Sequence, residues 1–79
     1  MTAPTKRLTH ATDAWELGSE IGQGLKSLPK GTLLRKTEKV HKAPQSKVSL
    51  DVYEVLEGEH KGMEVYRYNN DFSNMLENI

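Results

Sequence analysis

Apolar residues recur along the chain at two spacings, and the change between them divides it into segments. Leu17, Ile21, Leu25 and Leu28 stand four, four and three residues apart, the period of one helical face. Asp13 with Glu16 forms a capping box ahead of them, so the spacing predicts a short helix over about 13–24. Gly18, Gly22 and Gly24 weaken that helix, and Pro29 with Gly31 ends it. Beyond Gly31 the period falls to two. In TLLRKTEKVH (32–41) Leu34 and Val40 share a face among many charges, the pattern of an edge strand. KAPQS (42–46) reads as a turn. In KVSLDVYEVLE (47–57) Val48, Leu50, Val52 and Leu56 line one face while Tyr53 and Val55 point from the other. EGEHKG (57–62) turns the chain with Gly58 and Gly62 free to take positive φ, and MEVYRYN (63–69) returns as a partner strand.

Helical spacing comes back at the end, where Phe72, Met75, Leu76 and Ile79 stand at i, i+3, i+4 and i+7 behind Asn70 or Asp71 as cap. Residues 1–12 have no periodicity and read as a flexible N-terminal tail. The expected fold class is therefore α+β: a small antiparallel β-sheet or partial barrel with a short N-terminal and a short C-terminal helix, forming one domain over 13–79.

Size and chemistry narrow the function. A 79-residue chain without cysteine has neither disulfides nor thiolate zinc sites, and a core this small supplies only about 3–5 kcal/mol of net stability. Self-association into a homodimer, or docking on a partner, is the usual supplement. His10, His41 and His60 are far apart in sequence, so neither a metal nor a cofactor is expected. No apolar run reaches the ~20 residues of a membrane span, and no apolar stretch follows Lys6 and Arg7 as in a secretory signal; a cytoplasmic protein, not a membrane one, is the expectation. Glu57 with Glu59 is the nearest approach to a catalytic pair, but they sit in a turn open to water. GQG (22–24) lacks the lysine of a phosphate loop, and catalysis is not expected.

Charge is segregated although it sums to zero. Residues 26–47 carry Lys26, Lys30, Arg35, Lys36, Lys39, Lys42 and Lys47 against Glu38 alone, a net +6, while residues 48–79 carry −5. A basic stretch can face a nucleic acid, or it can pair with an acidic neighbour in a sheet.

Around EGEHKG a family pattern emerges. LPKGTLLRKTEKV, a polar turn and SLDVYEVLEGEHKGMEVYRYNN resemble the central region of phage-encoded single-stranded-DNA-binding proteins with an OB-like β-fold. The residues carrying the resemblance are Pro29, Gly31, Val52 to Leu56, Glu57, Gly58, Glu59, Lys61, Gly62, Tyr68 and Asn69, within residues 28–70. A similar EGxxKG turn occurs in SH3-like barrels. The chain departs from the pattern at His60 and Met63, and it is shorter than the family. The resemblance implies an OB-like barrel, a single-stranded nucleic acid as partner and, for a phage protein, the host cytoplasm.

Strand register decides what the tyrosines can do. With Tyr53 opposite Tyr66, the rings of Tyr53, Tyr66 and Tyr68 gather on one face beside lysines, where bases could stack at ~1–3 kcal/mol each. Slipped by one, Tyr53 faces Val65, and Tyr66 and Tyr68 join Leu50 and Val52 as core or rim residues. The first reading gives a non-catalytic nucleic-acid-binding protein using Arg35, Lys36, Lys39, Tyr53, Lys61, Tyr66, Arg67 and Tyr68. Against it stand Glu54, Glu57, Glu59 and Glu64 around the platform. The alternative is a protein-interaction module or inhibitor that docks on a host enzyme or complex through Tyr66, Arg67, Tyr68, Phe72, Met75, Leu76 and Ile79.

Overall fold

The computed structural model describes residues 3–19, 23–42 and 48–79. Its strands are β1 (Thr5–Leu8), β2 (Thr12–Glu16), β3 (Leu25–Leu28), β4 (Leu33–Lys42), β5 (Ser49–Val55), β6 (Glu64–Tyr66) and β7 (Leu76–Asn78). A 3-10 turn, Phe72–Asn74, precedes β7. All seven strands join one antiparallel sheet in the order β3-β2-β6-β5-β4-β1-β7. No described residue lies in an α-helix, so the domain is all-β and not α+β. No helix is long and apolar enough to cross a membrane.

Connection lengths force the sheet to curl. β1 and β2 are four positions apart, about 19 Å in a flat sheet at ~4.8 Å per strand. Yet only Thr9, His10 and Ala11 join them, a reach of about 14 Å. β3 and β4 are also four positions apart, and their four-residue link folds back where the Thr32 amide donates to the Pro29 carbonyl at 3.2 Å. The sheet therefore closes on itself as a partly open barrel. Its inner core holds Leu8, Ala14, Leu28, Leu34, Tyr53, Val55, Val65 and Phe72, with at least one residue from each of β1 to β6.

Both predicted helices give way to β-structure. Over 13–16 the alternation of Ala14 (buried) and Trp15 (on the other face) wins over the 3.6-residue stripe, since Gly18 at φ +89° and Gly24 at φ +78° break any helix. Leu25 and Leu28 then fall on opposite faces of β3, 51% and 2% exposed; Ile21 lies outside the described residues. At the C-terminus Phe72, Met75 and Leu76 do reach the core, but through the 3-10 turn and β7. Asp71 makes no side-chain cap there; its carboxylate holds Arg67 instead.

Two further expectations change. Residues 1–12, read as a tail, contain β1, which pairs with β4 and β7. β4, read as an edge, lies between β5 and β1; its Arg35 and Lys36 meet Glu54 and Asp51 of β5, and Lys39 reaches across to Glu64 of β6. Its register shifts between Lys36 and Val40, where the Thr37 hydroxyl donates to the Val52 carbonyl at 2.9 Å and accepts from the Lys39 amide at 3.1 Å. The shift is by two residues, so Val40, opposite Asp51, keeps the face of Leu34 and Tyr53 but is exposed there. The KAPQS turn falls largely outside the described residues.

Candidate interaction surface

The β5–β6 ladder takes the slipped register: Tyr53 lies opposite Val65, and Glu54 opposite Glu64. Gly58 and Gly62, both at φ +88°, turn the hairpin that sets it. Tyr53 consequently enters the inner core, against Phe72 with ring centroids 5.0 Å apart. Tyr66 goes to the opposite, outer face and covers Leu50 and Val52. The three-tyrosine stacking surface therefore does not form. Tyr53 and Tyr66 are buried, and only Tyr68 among the three is exposed, at 41%.

The outer face carries a second apolar cluster built by cross-strand pairing. Leu25 pairs with Trp15 and Trp15 with Tyr66, which places a row of large side chains across β3, β2 and β6. His41 stacks on Tyr66 with centroids 4.1 Å apart, while Tyr68 sets its edge against Tyr66 at 5.5 Å and against Trp15 at 5.6 Å. Burial first, and the neighbouring Tyr68 second, push the Tyr66 phenol up to about 12. Burial and then the charge of Asp51 raise the Tyr53 phenol as well.

Beside this cluster the outer face is an ionic lattice. Arg35 pairs with Glu54 at 2.8 Å and Lys39 with Glu64 at 2.8 Å, relieving the two glutamates set opposite each other. Arg7 pairs with Glu77 at 2.8 Å on the same face, while Lys36 approaches Asp51 at 3.9 Å on the inner one. A concavity of about 550 Å³ along β4 sets Arg35, Lys36 and Lys39 against Glu38, Asp51 and Glu54, an equal count of each sign. The segregation seen in sequence is thus largely cancelled in space, and the pairs, being half-exposed, are each worth about 0–1 kcal/mol.

The remaining candidate residues separate into core, clamp and surface. Arg67 is half-buried and engaged: it donates to Asp71 at 2.6 Å, to the Thr12 hydroxyl and to the Asp13 carbonyl, tying the end of β6 to the start of β2. Lys61 is exposed on the β5–β6 turn. Phe72, Met75 and Leu76 pack into the inner core, and Ile79 is 69% exposed beyond β7. Neither proposed set therefore forms one continuous surface. Trp15, His41 and Leu25, absent from both, are what the fold gathers around Tyr66 and Tyr68. Their signal in sequence was alternation about Trp15, hidden by the helical stripe overlapping it.

Among the described residues no group of three or more His, Cys, Asp or Glu converges as a metal site would require. No protein-family model, curated protein or solved structure matches the chain.

Proposed function

We propose that this chain is a non-catalytic docking module whose outer aromatic face engages an uncharged, apolar surface of another protein. The supporting observation is a second apolar cluster on the outside of a sheet whose inside already holds the core, with Leu25 51% and Tyr68 41% exposed at its rim. An apolar centre of aromatic rings beside paired charges has the anatomy of a protein interface. The sheet edges are less inviting. β7 is three residues long, and β3 carries Lys26 opposite the buried Ala14, toward the inner side, a charge that discourages strand addition. Single-stranded nucleic acid has weaker support, because Arg35 and Lys39 are engaged by glutamates and one tyrosine is exposed.

The test is site-specific photo-crosslinking from position 68 in lysate of the native host, with Leu25→Ser and Trp15→Ser as surface variants. One discrete protein adduct, lost in Leu25→Ser while the folded spectrum is kept, supports docking through this face. An adduct indifferent to both variants, or salt-sensitive binding of a ~20-nucleotide single strand that Lys36→Gln and Lys61→Gln weaken, overturns it.

A further inference from the structure

Independently of the outer face, a small pocket of about 110 Å³ opens on the inner side of the sheet, walled by Ala3, Pro4, Lys6, Leu34, Lys36 and Tyr53. The register accounts for its composition. Lys6 lies opposite Leu34, and Lys36 opposite Tyr53, so all four side chains share one face. Two lysine side chains therefore flank an apolar side chain and a tyrosine.

Tyr53 is only 6% exposed, its ring fixed against Phe72. Its hydroxyl makes no hydrogen bond to any described residue, and no polar side-chain atom among them is both buried and unpartnered. The hydroxyl must then reach the surface, and this pocket is its outlet. Lys6 pairs with no acid among the described residues, and Lys36 meets Asp51 only at 3.9 Å. Two cations against one carboxylate leave the pocket net positive, with three donor-bearing side chains in its wall and no described acceptor committed to the phenol.

We propose that this pocket binds an oxyanion of phosphate size, either orthophosphate or a phosphate monoester, between Lys6, Lys36 and the Tyr53 hydroxyl. The volume equals roughly three to four waters at ~30 Å³ each, room for a tetrahedral oxyanion. Lysine supplies point charges suited to such an anion, and the phenol supplies a directed hydrogen bond. Burial and the Asp51 charge hold that phenol protonated well beyond neutral pH, so it stays a donor.

The experiment is an amide-resolved NMR titration of the full chain with sodium phosphate, chloride being exchanged to keep ionic strength constant. Saturable shifts at Lys6, Lys36 and Tyr53 are expected. Tyr53→Phe keeps the ring in the core but removes the donor, and should weaken binding about tenfold, the usual consequence of losing a hydrogen bond to a charged group. Lys6→Gln with Lys36→Gln should abolish it. A phosphoserine peptide binding more tightly than orthophosphate assigns the site to monoesters, and equal affinity assigns it to the free anion. Shifts that never saturate, or an affinity unchanged by Tyr53→Phe and by the paired lysine variants, overturn the proposal.

Discussion

Replacing Tyr66 by alanine tests the register on which the outer face depends. Tyr66 is 4% exposed, stacks on His41 at 4.1 Å and covers Leu50 and Val52. An aromatic side chain so placed withdraws about 150–250 Å² from water, worth roughly 4–6 kcal/mol as an upper figure. Losses of about 3–5 kcal/mol are typical for core aromatics truncated to alanine. Against a total of about 3–5 kcal/mol from a small core, Tyr66→Ala should leave the domain largely unfolded. Tyr68, 41% exposed, gives up two edge contacts, and Tyr68→Ala should cost about 1–2 kcal/mol. Urea denaturation followed by far-UV circular dichroism and Trp15 fluorescence compares the two. A Tyr66→Ala protein unfolding at the wild-type urea concentration would refute the reasoning, because the ring would then stand free on an exposed face with Tyr53 opposite it.

The clamp at Arg67 should outweigh any surface pair. Arg67→Ala is expected to cost about 2–3 kcal/mol, since it strands the part-buried Asp71, whereas Lys39→Gln should cost less than about 1; equal shifts in denaturation midpoint would contradict this. Gly24→Ala should destabilise more than Gly62→Ala in the same assay. Both pay the strain of positive φ, about 1–2 kcal/mol, but only at Gly24 does a new Cβ meet the Ser19 Cβ at 2.5 Å. At high pH the sign follows from the raised phenols. With the folded Tyr66 phenol at about 12 against an ordinary 10, its contribution is intact below pH 10 and lost as pH rises towards 12. A spectrophotometric titration should show late-ionising tyrosines, one of which Tyr66→Phe removes.

Much of the central sheet was legible because a two-residue period admits one arrangement. Leu50 and Val52 had to oppose Tyr53 and Val55, and EGEHKG had to turn, whatever surrounded them. What sequence left open was which of two registers the hairpin took. Both gave each strand an apolar face, and only β2, laying Trp15 against Tyr66, supplied the outer cluster that favours the slip. The helical stripes misled for a related reason. Leu17, Leu25 and Leu28 have helical spacing by coincidence, since the positive φ of Gly18 and Gly24 interrupts the chain between them, leaving Leu17 just past β2 and Leu25 and Leu28 on β3. Ten C-terminal residues are too few to sustain a helix, so core contacts at Phe72 and pairing with β1 decided their geometry. Charge followed the same rule. Composition fixed how many lysines and glutamates there were, but whether they project a field or cancel depends on which strands lie side by side, and only the assembled sheet set β4 between β5 and β1.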